Sequence, residues 1–406
     1  MQLSLSQKEF IRTYGQMDVR ELALRFSRDD MALLLSQIAG RQMARLKIPS
    51  WYEREDIFYP AHLSLEQASS ELTARYKASL VPEIMETSSP GGCERFADLT
   101  GGMGIDFAFM SPDFREADYV EQNEELCGIA EHNFGVLQLH HVRVHCTGAA
   151  QFLQKADPYD LIYLDPARRD RAGRKVVRIE DCTPDLTEMN RLLLEKAGHV
   201  MVKYSPILDI ALAVKTLGHV SEVQVVSVDN ECKELLFLLS KTAGEAPQYV
   251  AVNLKRSGGE ERFSFAMAQE QQTEISFADA PGHYLYEPNA SILKAGAFKG
   301  VAQSYNLQKL HINSHLYTSN ERVTGFPGRA FEVVSFFVPN RQHSKTFTRE
   351  TKKANIAVRN FPMTVAEIRR RTGLAEGGDT YLFATTLSDE RKVWIICRKV
   401  SDIALC

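Results

Sequence analysis

The sequence predicts an α/β protein. A mostly parallel sheet of seven strands, covered by helices on both faces, follows an N-terminal helical region and precedes C-terminal α+β modules. Three observations predict this. Between Phe96 and Lys241 short apolar segments alternate with amphipathic helical ones, the pattern of a parallel sheet with crossover helices. The first apolar segment runs into a glycine-rich turn, FADLTGGMGID at 96–106. The last two apolar segments are separated only by Asp229 to Glu234, too short for a parallel crossover, so they should form an antiparallel hairpin.

Residues 1–66 read as a helical region. LALRFSRDDMALLLSQIAGRQMARLKI (22–48) repeats apolar residues every three or four positions, and Ile48-Pro49-Ser50-Trp51 breaks the pattern. A further helix is expected over about 64–80. Residues 67–243 form the sheet domain, with strands at about 95–99, 117–121, 142–146, 160–165, 199–204, 222–228 and 235–240. NEELCGIAEHNF and TPDLTEMNRLLLEKAG supply helices between them. Residues 244–321 begin with QYVAVNLKR and ERFSFAMAQ, alternating strands around Ser257-Gly258-Gly259-Glu260, and continue as a small α+β unit. Residues 322–406 carry strands AFEVVSFFV, TYLFATTLS and KVWIICRK around the helix VAEIRRRTG.

Composition narrows the class. Hydrophobic residues make up 44% and charged residues 25%, an ordinary globular balance. No run approaches ~18 apolar residues, and the N-terminus lacks a signal-peptide pattern, so a cytoplasmic protein without a membrane partner is expected. The seven cysteines include no CxxC pair and read as reduced thiols. His311 and His315 have helical spacing without the Glu of an HExxH site, so no metal is expected. The net charge of −4 hides an asymmetry: residues 322–406 hold 15 Lys+Arg against 8 Asp+Glu, or +7, which leaves −11 on the rest.

The glycine turn carries the first chemistry. Glycines let a backbone turn tightly and approach a ligand with no Cβ in the way. Asp98 precedes Thr100, Gly101, Gly102 and Gly104, and a second acid, Asp106, follows them. About 20 residues downstream, the usual spacing for a ribose-binding acid, ADYVEQN ends a second strand in Glu121. A nucleoside-bearing ligand is therefore expected. A dinucleotide site would prefer GxGxxG and a wholly parallel sheet. The acid before the glycines and the closing hairpin instead resemble class I S-adenosylmethionine-dependent methyltransferases, over about 67–241, with their Rossmann-like sheet. The resemblance implies S-adenosylmethionine as cofactor. It places Asp98, Thr100, Gly101, Gly102, Gly104 and Asp106 around the methionine part, and Glu121 on the ribose. Thr100 stands where the family has its first glycine. The adenine position falls near Cys146-Thr147-Gly148-Ala149, without the family's usual acid. Gln67, Ser70 and Lys77, before the first strand, are expected near the carboxylate.

The fourth strand, YDLIYLD, ends in Asp165-Pro166-Ala167-Arg168-Arg169-Asp170. Open α/β sheets bind ligands at the carboxyl ends of their strands. This turn resembles the Asp-Pro-Pro-aromatic motif of amino-group methyltransferases, in which the acid and a backbone carbonyl hold the target nitrogen. Ala167 replaces the second proline, no aromatic follows, and Arg168 and Arg169 suit a phosphate. Asp165, Pro166, Arg168 and Lys203 are the catalytic candidates. A second set, Lys77, Asp165, Lys203 and Glu234 in that order, resembles ribose 2′-O-methyltransferases. Its chemistry asks for an ammonium with a depressed pKa beside the hydroxyl. Pyrimidine carbon methylation needs a nucleophilic cysteine; the segment ending the fifth strand, Tyr204-Ser205-Pro206, has none, and the distant Cys182 and Cys232 read as packing residues.

Between Arg341 and Arg371 nine Lys/Arg face two acids, and Phe347 and Phe361 lie in the same run. Such charges and aromatic faces are what RNA binding requires. Nearly the whole chain resembles a family of bacterial methyltransferases with a ferredoxin-like unit and a THUMP-like C-terminus. The resemblance rests on SSELTARYKASL, DLTGGMGID, YLDPARR, VKYSP, NECKELL, YEPNASILKAGAF and NIAVRNFPMTVAEIRRRTGL. THUMP domains in related enzymes bind structured RNA, commonly tRNA. The expectation is a methyltransferase acting on tRNA or rRNA at a base nitrogen, gripping it through the basic module. Ribose 2′-O-methylation, a non-catalytic RNA-binding role, and a small-molecule or protein substrate are the alternatives.

Overall fold

Three helices open the chain: α1 (Leu5–Tyr14), α2 (Val19–Arg25) and α3 (Met31–Lys47). The computed structural model that shows them describes residues 3–60, 68–86, 93–168 and 178–400. The apolar run read as one helix over 22–48 is thus two. Phe26 turns extended after α2 and packs its ring against Phe10 and Tyr14, at 5.2 and 4.8 Å between centroids. Burying a third aromatic ring outweighs continuing the helix. Ile48 and Trp51 then pack beside Tyr59, Ala74, Met103 and Ile105, so the helical region covers the glycine turn. Asn133 fixes this cover by exchanging two hydrogen bonds with the Phe58 backbone, 2.8 and 2.9 Å long.

The helix expected at 64–80 is α4 (Glu71–Glu86), capped by the Ser70 hydroxyl on the Thr73 amide. Seven strands follow: β1 (Arg95–Asp98), β2 (Glu116–Glu121), β3 (Val142–Cys146), β4 (Tyr159–Leu164), β5 (Ala197–Tyr204), β6 (Val220–Val228) and β7 (Glu231–Ser240). Between them lie α5 (Ile105–Met110), α6 (Glu124–Val136), α7 (Ala149–Lys155), α8 (Leu186–Lys196) and α9 (Ile210–Leu217). The strand order is β3-β2-β1-β4-β5-β7-β6, and the sheet continues past β6 through Gln248–Leu254 and Glu260–Ala266, so that it has nine strands where seven are expected. Every registered pair from β3 to β5 is parallel, and β5 pairs antiparallel with β7. The β6–β7 turn is Asp229-Asn230, both at positive φ, as a two-residue hairpin requires. All of the carboxyl ends of β1, β2 and β4 therefore open on one edge, where the glycine turn sits.

The chain divides into two units, Met1–Val223 with Glu234–Glu245, and Gln224–Lys233 with Ala246–Cys406. In the second unit, β8 (Gln248–Leu254) and β9 (Glu260–Ala266) form the expected hairpin, with Gly258 and Gly259 at positive φ in its turn. A separate seven-stranded sheet follows, in the order β11-β12-β10-β13-β16-β15-β14. Its strands are β10 (Tyr284–Pro288), β11 (Gln308–Lys309), β12 (Tyr317–Ser319), β13 (Gly328–Phe337), β14 (Asn355–Arg359), β15 (Thr380–Thr386) and β16 (Lys392–Lys399). The helix Arg341–Glu350 buries no residue, and Arg341, Lys345 and Arg349 are exposed along it at four-residue spacing. Phe347 and Phe361 pack, partly buried, against the core around Ile368, Leu382 and Trp394. They serve the core, where stacking faces were expected, because the elements that carry the basic residues turn their apolar side inward.

Candidate active site

A cavity of about 340 Å³ opens at the carboxyl edge of β1, β2 and β4. Its floor is the glycine turn. A Cβ on Gly101 would stand 2.1 Å from the Tyr119 ring, and Gly102 and Gly104 hold φ of +55 and +74. Both constraints demand glycine. The Gly102 amide donates to Glu121 Oε2 at 3.0 Å, and the Asn123 amide to Oε1 at 2.9 Å. Glu121 thereby joins the turn to β2 while still lining the cavity. Asp98, Thr100, Gly101, Gly102, Asp106 and Glu121 all line it; Gly104 caps α5 from beneath.

Thr100 has a role of its own. Its amide donates to Asp98 Oδ1 at 2.9 Å, and its Oγ1 accepts the Asp165 amide at 2.6 Å. The hydroxyl that replaces a glycine hydrogen therefore fastens the turn after β4 to the turn after β1. Asp165 lines the cavity with its side chain 39% exposed, and Pro166 behind it is buried. Ala167–Arg168 form a two-residue ladder with Cys182–Thr183, which brings Thr183 and Pro184 to the cavity wall. The Arg168 side chain, Arg169 and Gln67 lie outside the described residues.

Behind the wall is an ion network assembled from five elements. Lys203, at the end of β5, reaches Asp165 Oδ2 at 2.6 Å and Asp106 Oδ2 at 3.8 Å. Lys77 on α4, 0% exposed, reaches Glu234 Oε1 at 2.7 Å and Asp106 Oδ1 at 3.2 Å. Asp106 Oδ2 also accepts from Ser69 at 2.7 Å and Tyr163 at 2.7 Å. Ser69 Oγ stands 3.3 Å from the Lys77 ammonium and 3.1 Å from that of Lys203. The structure thus brings Lys77, Asp165, Lys203 and Glu234 together, with Asp106 at the centre. Neither lysine lines the cavity.

The electrostatics follow from burial and count. Burial raises Asp98 well above the usual carboxyl range, and Asp106 and Asp165 reinforce this. Burial also raises Asp165 and Glu234, against the pull of their lysines. Burial opposes ionisation of Asp106 too, but Lys77, Lys203 and two hydroxyl donors outweigh it and hold that carboxyl low. For Lys203, burial disfavours the ammonium, yet Asp165, Asp106 and Glu234 win and raise it above its ordinary value. The depressed ammonium that ribose chemistry asks for is therefore not what Lys203 provides, because three carboxylates surround it.

Sequence reasoning chose Ser70 near the cofactor, whereas Ser69 lines the cavity and Ser70 caps α4. The two adjacent serines give no sequence signal of which one faces inward. Thr147, Gly148 and Ala149 line the cavity where adenine was expected, joined by Gln122 and Leu126; Cys146 does not. Cys182 is buried and does not line the cavity. Among the described residues no group of three or more His, Cys, Asp or Glu is placed to hold a metal, and no helix is long and apolar enough to cross a membrane.

Comparison with known proteins gives the family. Residues 284–327 match a ferredoxin-like domain family and residues 328–399 a THUMP-like domain family. No functionally curated protein matches the chain. The crystal structure of a candidate methyltransferase from Porphyromonas gingivalis W83 is 32% identical, over 99% of this chain and 100% of that one, with a TM-score of 0.87. A SAM-dependent methyltransferase from Agrobacterium tumefaciens is 17% identical over 45% of this chain and 64% of that one (TM-score 0.33), and an rRNA methylase from Streptococcus thermophilus 13% over 42% and 94% (TM-score 0.30). With a glycine turn, an acid-ended second strand and the two C-terminal domains all in place, the chain belongs to the family of class I S-adenosylmethionine-dependent methyltransferases that carry a THUMP-like C-terminal domain.

Proposed function

We propose that the cavity binds S-adenosylmethionine and that the protein methylates a base nitrogen of RNA, tRNA or rRNA, held by the basic C-terminal module. The residues fit the cofactor. The volume suits a nucleoside-sized ligand, Gly101 and Gly102 line it with no side chain in the way, and Glu121 faces the space beside Thr147 and Gly148 as a diol acceptor. When bound, the cofactor supplies an electrophilic methyl on a sulfonium. The chain's own residues then have to align the acceptor and take up its proton.

One observation carries the choice of nitrogen: Asp165 lines the cavity, whereas Lys203 and Lys77 do not. A carboxylate there accepts an N–H and holds the nitrogen in line with the methyl. That carboxylate, or a water beside it, would take up the proton the nitrogen gives up. Lys203 holds the Asp165 side chain, the Thr100 hydroxyl holds its amide, and Pro166 stiffens the turn. A ribose hydroxyl would need an ammonium in the cavity. Asp165→Ala is expected to abolish transfer while cofactor binding by calorimetry persists; full activity of this variant would sink the assignment. Nucleoside mass spectrometry of RNA from a deletion strain identifies the product, and loss of a 2′-O-methylated nucleoside would overturn the nitrogen reading.

A further inference from the structure

Glu287, Arg329 and Arg359 belong to the second unit and do not line the cavity. Each stands two residues along its strand from a member of one apolar cluster: Leu285 on β10, Phe331 on β13 and Ala357 on β14. Strand alternation therefore puts all three on the face that holds this core. In the sheet order β13, β16 and β15 separate β10 from β14, which in a flat sheet is roughly 19 Å at about 4.8 Å per strand. Arg359 Nη2 nevertheless stands 2.7 Å from Glu287 Oε1. The sheet thus curls around its core, and the three charged side chains meet at one end of it.

Two cations share this one acid. Glu287 is buried and needs compensation, which a single arginine would supply. Arg329 donates from Nε to Glu287 Oε2 at 2.9 Å and from Nη2 to the same oxygen. Arg359 pairs through Nη2 with Oε1, and its Nη1 donates to the Val358 carbonyl at 2.9 Å. Among the described residues each guanidinium spends two of its five N–H groups and keeps three. Both arginine side chains are 37% exposed, and no second acid pairs with either among the described residues. The triad therefore has a formal charge of +1. Its surroundings are cationic too: burial, Lys309 and Arg359 hold His315 down at about 4. A guanidinium already fixed by a carboxylate loses little further freedom on binding, and its planar fork matches two phosphate oxygens. A phosphodiester brings the single negative charge that the triad lacks. We propose that Arg329 and Arg359, oriented by Glu287, form a binding site for one backbone phosphate of RNA. The inference rests on the RNA reading above.

The test measures binding of tRNA and of rRNA to the full-length protein across a salt series. Arg329→Gln combined with Arg359→Gln should lower the slope of log binding constant against log salt by about one, the value of one phosphate, and weaken binding roughly fivefold near physiological salt. Glu287→Gln keeps both guanidiniums and removes the acid that competes with phosphate, so the slope should stay unchanged or steepen. A triad that serves the fold alone is broken alike by either change. Loss of binding in both variants, or in neither, would therefore overturn the inference and leave the RNA reading intact. A second measurement needs no variant: phenylglyoxal modification of wild-type arginines, read by peptide mass spectrometry. The RNA that binds should protect Arg329 and Arg359, and unchanged modification would overturn the inference. Inorganic phosphate at the same phosphate concentration should not protect them; equal protection would assign the pair to a free anion and overturn the RNA site. Wild-type protein that binds neither RNA at low salt would remove the RNA reading itself, and this site with it.

Discussion

Replacing Lys77 by methionine tests whether the buried network is a structural unit. The substitution keeps most of the side-chain volume and removes only the ammonium. Lys77 is fully buried, 2.7 Å from Glu234 and 3.2 Å from Asp106. Without it two buried carboxylates share only Lys203, which already serves Asp165 at 2.6 Å. Removing one partner of a buried pair costs about 3–5 kcal/mol, because the remaining charge is left uncompensated. For a unit of this size each kcal/mol moves the melting point by roughly 2–4 °C, so a fall of roughly 6–20 °C is expected. The assay is thermal and guanidinium unfolding followed by Trp51 fluorescence in a Trp394→Phe background, since Trp51 is buried in the first unit. Adding Glu234→Gln to Lys77→Met should recover at least half of the loss, and the double-mutant cycle isolates the pair. A Lys77→Met protein within about 1 kcal/mol of wild type, well under the ~3 kcal/mol that an uncompensated buried charge costs, would refute the reasoning. So would a double variant no more stable than the single one.

Other expectations concern the glycine turn, Asp98 and the basic module. Gly101→Ala should cost about 1–3 kcal/mol, since its Cβ must displace the fully buried Tyr119 ring; cofactor affinity by calorimetry should fall with it. Asp98 binds its proton more tightly folded than unfolded, so it lowers stability as pH rises from the usual carboxyl range through its raised folded value. Asp98→Asn should therefore stabilise the protein at neutral pH and flatten urea-derived stability between pH 4 and 8, while an unchanged profile would count against the assignment. Reversing Arg341, Lys345 and Arg349 to glutamate removes three exposed cations with no ion-pair partner among the described residues. The slope of log binding constant against log salt for tRNA should become shallower by roughly two to three, and an unaltered slope would place RNA elsewhere.

The sheet was legible because each strand is an apolar burst between turn residues, and because the short Asp229–Glu234 gap forbids a parallel crossover. Asp165 was legible for a related reason: an acid-proline pair at the end of a buried strand has little purpose in packing. Lys77 and Glu234, 157 residues apart, fall in the set that resembles ribose 2′-O-methyltransferases, and the structure pairs them behind the cavity wall. What the sequence did not reveal is direction. Lys77 was expected near the cofactor, but the helical phase of α4 buries it behind Ser69. Its pairing with two carboxylates is a tertiary fact with no local signature. Phe347 and Phe361 have the composition of a stacking surface, yet their neighbours on the sheet decide that they pack inward. The break at Phe26 likewise depends on Phe10 and Tyr14, whose proximity the periodic pattern around it does not encode.

Thr100 shows why a departure from a motif can carry information. A glycine at this position would serve the donor loop alone. The threonine gives the loop a side chain whose oxygen accepts the Asp165 amide, while its own amide donates to Asp98. Asp165 is then held at two points by two different elements: its backbone by the loop after β1, its carboxylate by Lys203 on β5. In-line displacement rewards this, because an error of about 1 Å in the approach can cost two orders of magnitude in rate. If, as proposed, the glycine loop grips the donor and the Asp165 turn holds the acceptor, the two must keep one relative position. Two hydrogen bonds through a single residue achieve that without enlarging the site.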